Sequence, residues 1–419
     1  MDRYWTERLS EFGATVTASE IRELLKVAAD PDIISFAGGI PDPRLFPFDE
    51  IREAHRKIFA SNSLRLDAFQ YAISEGYLPL RQWIGQHMGE RGVAAAPENI
   101  LITNGSQQGL DFVARLLLRR GDAVVVARPS YLGALQTFSG YGARLLAVPM
   151  DDQGMLPGPL EAALQQHPKL LYLVPDFANP SGVTTTAPRR AELVALARRY
   201  GVPVVEDSAY ERLRYEGDLL PPIIALDQQE RSRQAGAPTD NAIFLGTFSK
   251  IIAPAFRVGW VIAPPALTEK LVLMKQASDL HSSTINQIVL AEVLPQAFQR
   301  QVDKIIPVYR ARRDTMLKAL DAHFPAGTTW TRPAGGMFIW VDLPACIDAA
   351  MLLETALTES HVAFVPGAAF HADRSGKNTL RLSFSTSDTP QIETGIKRLG
   401  ALLRRSIAAA ATEPACDPP

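Results

Sequence analysis

Ala242-Ile243-Phe244-Leu245-Gly246-Thr247-Phe248-Ser249-Lys250 is the stretch on which the reading of this chain turns. Ala242–Leu245 is an apolar run of strand length. It delivers two hydroxyl side chains and a lysine amine at the point where a strand leaves the core. Arg257 follows seven residues after the lysine, ahead of a second apolar run, Val258–Ala263. An amine can form a Schiff base, and hydroxyls with a guanidinium can hold a phosphate. The pattern therefore suits a phosphorylated aldehyde. A solvated loop lysine is the other reading, and this stretch alone leaves it open.

Three upstream segments repeat the arrangement. Val202–Glu206 leads into Asp207-Ser208-Ala209-Tyr210. Leu170–Val174 leads into Pro175-Asp176-Phe177-Ala178-Asn179-Pro180-Ser181-Gly182. Ile100–Thr103 leads into Asn104-Gly105-Ser106-Gln107-Gln108, which opens a helical pattern of Leu110, Val113, Leu116 and Leu117. Each strand-like run brings polar groups to its carboxyl end, where open α/β sheets bind ligands. Together they supply an amine, a carboxylate, a phenol, an amide and a phosphate cradle, which is what pyridoxal 5′-phosphate (PLP) needs. Neither GxGxxG nor GK[ST] is present, so dinucleotide and nucleoside-triphosphate sites lack support.

On these residues the chain resembles the fold-type I, PLP-dependent aminotransferases of class I/II, and among them the 2-aminoadipate and kynurenine aminotransferase branch. The matching segments run in order through Ile34–Pro47, Gln70–Arg81, Asn104–Gly109, Pro129–Gly133, Asn179–Gly182, Val205–Tyr210, Thr247–Lys250, Pro333–Trp340, Ala363–Gly367 and Leu380–Ser383. The resemblance implies an α/β fold with a large domain, its central sheet mostly parallel and covered by helices, and a smaller α+β domain. It also implies ping-pong transfer of an amino group from an L-amino acid to a 2-oxo acid, with glutamate and 2-oxoglutarate as one pair. Another fold-type I chemistry, β-lyase, racemase or decarboxylase, is the alternative. A regulator sharing the fold would carry a winged helix ahead of it, whereas here the matching segments begin almost at once.

The expected roles follow residue by residue. Lys250 holds the cofactor and moves the substrate proton. Burial and nearby cations would lower its pKa. Asp207 faces the ring nitrogen and keeps it protonated, although an aspartate after a strand can also be a plain helix cap. Tyr210 and Asn179 face the ring phenolate; Asn179 before Pro180 can equally start a turn. Gly105, Ser106 and Gln107 form the phosphate cradle at a helix start, completed by Ser249, Arg257 and Thr247. Many relatives carry serine at position 247, and threonine keeps the hydroxyl. Tyr131 lies against the ring, or simply packs in the core.

Arg381 alternates with Thr379, Ser383 and Ser385 on one face of a strand, opposite Leu380, Leu382 and Phe384. Its planar fork matches the substrate α-carboxylate, with Gly39, Gly38 and Asn179 nearby; a solvated edge arginine is the bland reading. In the resemblance Tyr71 crosses to the neighbouring subunit's phosphate, implying a homodimer. Arg22, in Ala18-Ser19-Glu20-Ile21-Arg22-Glu23-Leu24-Leu25, matches the residue that meets the substrate's side-chain carboxylate. Thr17 and Glu20 have capping-box spacing ahead of it. A surface arginine is the alternative.

Composition sets the remaining limits. The 419 residues carry 43 basic and 45 acidic side chains, a net charge of −2 with no basic footprint for nucleic acid. Cys346 and Cys416 lie far apart without a CxxC, giving neither a disulfide framework nor a zinc site, and no metal is expected. No run reaches the ~18 apolar residues of a membrane span, and the charged N-terminus is no signal peptide, so a cytoplasmic enzyme is expected. The expected division is an arm and part of the small domain at 1–47, a large PLP-binding domain at 48–306, a small domain at 307–407 and a disordered tail at 408–419. Within it, Gln228–Thr239 reads as a surface loop and Tyr309–His323 as a helix.

Overall fold

The computed structural model describes residues 3–10, 13–14, 30–233 and 240–410 of the chain. Its central sheet contains β2 (Ile100–Thr103), β3 (Ala123–Arg128), β4 (Arg144–Asp151), β5 (Gly154–Met155), β6 (Leu170–Leu173), β7 (Val204–Ser208), β8 (Ala242–Thr247) and β9 (Gly259–Ile262). A short β1 (Ile34–Ser35) precedes them. The order across the sheet is β2-β9-β8-β7-β6-β3-β4-β5. Neighbours from β8 through β7, β6 and β3 to β4 are parallel, while β9 runs antiparallel between β2 and β8 and β5 is antiparallel to β4.

Alternation within the strands explains why the sheet is covered on both faces. Val125, Leu171, Phe244 and Ile262 enter one apolar cluster. Their strand neighbours Val124, Tyr172, Leu245 and Val261 enter another on the opposite side. Successive side chains point to opposite faces, so near-continuous apolar runs are what a doubly covered parallel sheet requires.

The register gathers the site. Thr103 pairs with Gly259, and Gly259 with Thr247, so the ends of β2 and β8 and the start of β9 meet at one sheet edge. Ser208 of β7 pairs with Gly246 of β8 at the same edge. The residues after each of these strands are thereby placed side by side.

A second sheet is antiparallel, with β10 (Thr329–Trp330), β11 (Phe338–Asp342), β13 (Val365–Pro366) and β14 (Thr379–Ser383) in the order β10-β11-β14-β13. Between them in sequence, β12 (Val362–Ala363) pairs in parallel with β1, so Ile34–Ser35 lies against the C-terminal part of the chain.

Four local expectations are corrected. The helix read from Tyr309 begins at Thr284 and runs to His323 with Pro295 and Pro307 inside it. An interior proline costs ~3 kcal/mol. Here Ile288, Val289 and Val293 pack on Ala54 and Ile58, and Met316 and Leu320 pack in the main core, so burial on both sides of the prolines outweighs that cost. The segment read as a loop from Gln228 is helical as far as Arg233, in Ile223–Arg233. Its first turn is capped from a distant strand, Glu206 Oε1 and Oε2 accepting from the Ile223 and Ile224 N–H groups. Residues 234–239 lie outside the described part. The tail read from Ala408 does not start there, because Thr389–Ala410 is one helix; residues 411–419 lie outside the described part. Cys346 is disulfide-bonded, contrary to the expectation from spacing.

Candidate active site

At the end of β2 the chain turns through Asn104-Gly105 into the helix Ser106–Leu117. Gly105 has φ +76°, and a Cβ there would sit 2.5 Å from Arg257 Nη2. Only glycine allows this approach. A Cβ at Gly259 would lie 2.5 Å from the Ser106 nitrogen, so the start of β9 presses equally close to the helix start. Arg257 itself is left-handed, with φ +51°, and its Nη2 donates to the Asn104 carbonyl at 3.3 Å. Across from it, Thr247 Oγ1 donates to Ser249 Oγ at 2.8 Å and accepts from the Ser249 N–H at 3.2 Å. Glycine, open helix N–H groups, two hydroxyls and a guanidinium thus converge, a combination suited to a phosphate.

The Gln107 side chain is engaged away from the cradle. Its side-chain amide donates to Thr137 Oγ1 at 2.9 Å, and its carbonyl accepts from Tyr131 Oη at 3.4 Å. Its side chain therefore orients Tyr131, leaving the backbone at position 107 for the cradle. Gly133 makes room for that ring, since a Cβ there would fall 2.6 Å from Tyr131 Cζ.

The deeper part is built on β7. Asp207 is buried, and Tyr172 Oη donates to its Oδ2 at 2.8 Å. The other oxygen, Oδ1, is buried with no partner. Burial pushes the carboxyl up to about 6, with the Tyr172 hydrogen bond and the Lys250 charge pulling the other way. Lys250 Nζ donates to the Gly39 carbonyl at 2.9 Å and stands 5.8 Å from the Tyr210 ring centroid. Burial, then the charges of Arg381 and Arg257, lowers this amine to about 8. Burial likewise raises the Tyr210 phenol, against a hydrogen bond to Asn179 and the Arg381 charge.

Arg381 of β14 reaches this group from the second sheet. Its Nη1 donates to Asn179 Oδ1 at 2.7 Å and its Nη2 to the Ala37 carbonyl at 2.7 Å. The guanidinium carbon lies 4.4 Å from the Phe338 centroid and 5.0 Å from that of Phe370. The Arg381 Nε is buried without a partner. It is therefore no solvated edge arginine but a cation held between aromatic faces, with donor capacity to spare.

The structure thus brings Lys250, Asp207, Tyr210, Asn179, Arg381 and Gly39 together, and Gly105, Ser106, Thr247, Ser249 and Arg257 beside them. Tyr71 stands apart, 79 % exposed and touching His281 edge-on at 5.9 Å between centroids. Arg22 lies outside the described residues. Sequence reasoning missed Tyr172 and Phe338. A tyrosine among leucines in Leu170–Leu173 was a signal, because a buried phenol needs a partner.

The residues fit PLP on structural grounds of their own. Asp207 offers a buried, unpartnered carboxylate oxygen to a ring nitrogen, Lys250 an amine, and the Gly105 turn a space that a Cβ would fill. Residues 31–399 match the model of the family described as aminotransferase class I and II. A 2-aminoadipate transaminase of Thermus thermophilus is 42 % identical over 96 % of this chain and 98 % of its own length. An aromatic-amino-acid aminotransferase of Thermococcus litoralis is 41 % identical over 95 % of this chain and 94 % of its own. Among solved structures, the alpha-aminoadipate aminotransferase of Thermus thermophilus, complexed with N-(5′-phosphopyridoxyl)-L-leucine, superposes with a TM-score of 0.88. It is 40 % identical and covers 97 % of this chain and 99 % of its own.

Proposed function

The chain belongs to the class I and II aminotransferases and is a PLP-dependent transaminase that exchanges an amino group between an amino acid and a 2-oxo acid, and on that premise we propose how its residues divide the work. The observation that carries the proposal is Asp207 Oδ1, a buried carboxylate oxygen without a partner. When bound, PLP supplies a conjugated ring that takes up electron density from the substrate Cα, provided its nitrogen stays protonated. Asp207 would keep that proton in place, with Tyr172 holding Oδ2 and leaving Oδ1 free for the ring nitrogen. Gly105, Ser106, Ser249 and Arg257 hold the phosphate, with Thr247 orienting Ser249. Tyr131 would pack on the ring, and Asn179 and Tyr210 would serve its phenolate oxygen. Lys250 would hold the cofactor covalently through Nζ.

Arg381 binds the substrate α-carboxylate, fixing the Cα hydrogen toward Lys250. Once free, Lys250 Nζ takes that proton. An amine near pKa 8 has a substantial neutral fraction at pH 7–8 and is a usable base there. Its hydrogen bond to the Gly39 carbonyl keeps it beside the substrate-facing loop, so Gly39 serves both substrate and base.

We further propose a homodimer. Phe59, Leu66, Phe69, Tyr71 and Ile73 are all more than half exposed within one short stretch, an apolar surface that suits burial against a second copy. Tyr71 on that surface would then serve the partner's phosphate site. The division into a large domain at 48–306 and a small one at 307–407, linked by the long helix, belongs to the same reading. So does a cytoplasmic enzyme, for which composition is the support; no described helix is long and apolar enough to cross a membrane. Glutamate and 2-oxoglutarate are proposed as one substrate pair, and Arg22 as the contact for an acidic side chain. The test is the half-reaction: glutamate should convert the bound cofactor to its pyridoxamine form with one equivalent of 2-oxoglutarate. Spectral conversion with other amino acids but none with glutamate would refute the pair.

A further inference from the structure

Lys275 takes no part in the chemistry above, yet it is fully buried, in the last turn of the helix Pro265–Ser278. Its Nζ donates to both Asp279 oxygens and to Gln108 Oε1, each at 3.0 Å, so all three amine hydrogens have acceptors. Asp279 Oδ2 also accepts from Asn104 Nδ2 at 2.5 Å and Gln108 Nε2 at 2.7 Å. Gln108 Oε1 accepts in addition from the Asn104 N–H at 2.8 Å. Asn104 is therefore gripped by its main chain and its side chain together, while its carbonyl accepts from Arg257. Burying an ammonium costs far more than burying a methionine of similar volume, so packing alone does not account for this residue. What the ion pair adds is direction: each bond ends on the turn leading into Gly105 or on the residue that grips it.

We propose that Lys275, Asp279 and Gln108 form a positioning unit that presets the Asn104–Ser106 turn for the cofactor's phosphate, and thereby sets the phosphate-dependent part of cofactor affinity. This rests on the assignment of Gly105 and Ser106 as the phosphate cradle. The unit does not touch the cofactor; it acts through Asn104, whose two tethers fix the left-handed Gly105 and so the direction of the Ser106 N–H. With methionine at 275 the volume stays filled, but Gln108 and Asp279 lose their shared donor and the turn can rotate. A preset anion site gains affinity mainly because it need not be ordered on binding.

The test compares PLP with pyridoxal, which lacks the phosphate. Apoenzyme of the wild type and of Lys275→Met, Gln108→Met and Ser106→Ala is titrated with each, following the change in near-ultraviolet absorbance. The ratio of the pyridoxal to the PLP dissociation constant should fall on the order of tenfold in Lys275→Met and in Gln108→Met, the size expected for losing a hydrogen bond to a charged group. Pyridoxal affinity itself should hardly move. Equal weakening toward both ligands would mean a merely structural role and would overturn the proposal. If Ser106→Ala lowers the ratio while the other two leave it intact, the positioning unit is wrong and the cradle stands. An unchanged ratio in all three removes the cradle assignment and the inference with it. Should Lys275→Met fail to fold, Gln108→Met, which leaves the lysine paired with Asp279, decides the question.

Discussion

Asp207→Asn should make the apoenzyme's stability less sensitive to pH while weakening its hold on PLP. In the cofactor-free protein the buried Asp207 carboxyl sits at about 6 against an ordinary 3.8. A carboxyl raised in the folded state contributes stability that is present below its unfolded value and is lost as pH rises through the folded one. The loss spans about 2 pKa units, or ~3 kcal/mol in all. Between pH 5 and pH 8 about 1.4 kcal/mol of it remains to be lost. Asparagine does not titrate, so that slope disappears, and any constant cost of burying its amide cancels in the comparison. The assay is urea unfolding of apo wild type and apo Asp207→Asn at pH 5, 6, 7 and 8. The gap between the two should open in favour of the variant by roughly 1–2 kcal/mol from pH 5 to pH 8. Saturating PLP should close it, because a protonated ring nitrogen would pair with the carboxylate. Parallel stability profiles for the two apoenzymes would refute the reasoning, since they would mean that Asp207 is not held as an uncompensated buried acid.

Arg381→Lys should lower kcat/KM by about 3 kcal/mol, on the order of a hundredfold, for amino donor and 2-oxo acceptor alike, because both present a carboxylate to the fork; a loss confined to one substrate would contradict that role. Arg22→Ala should weaken the half-reaction with glutamate and 2-aminoadipate relative to leucine, and an unchanged ratio of efficiencies would exclude Arg22 as the selector. Mixing inactive Tyr71→Ala and Lys250→Ala chains should restore activity in hybrid dimers, each holding one intact site; hybrids as inactive as their parents would rule out a tyrosine supplied across the interface.

The sheet edge was legible because parallel strands covered on both faces must be apolar throughout, and polar groups can appear only where they end. Lys250, Asp207, Asn179 and Gly105 each follow or end such a run, and register then places them side by side. Arg381 was legible from alternation in β14, but its aromatic sandwich was not, since Phe338 and Phe370 come from segments 32 residues apart. The helix at Ile223 was hidden because its cap is Glu206, a strand residue 17 positions upstream. The long helix through Pro295 and Pro307 broke a local rule that packing on either side overrode. Lys275 reads locally as one more polar helix residue; only tertiary structure shows that the two residues it bonds, Gln108 and Asp279, both hold Asn104.

The central claim is that Lys250 is the amine on which cofactor and proton transfer depend. Reduction of the PLP-loaded enzyme with borohydride, followed by proteolysis and mass spectrometry, tests it most directly. The pyridoxyl group should be found on the peptide containing Thr247–Lys250, attached at Lys250, and Lys250→Ala should yield no stable label while remaining folded. A label on Lys275 or any other lysine of the wild type would contradict the account.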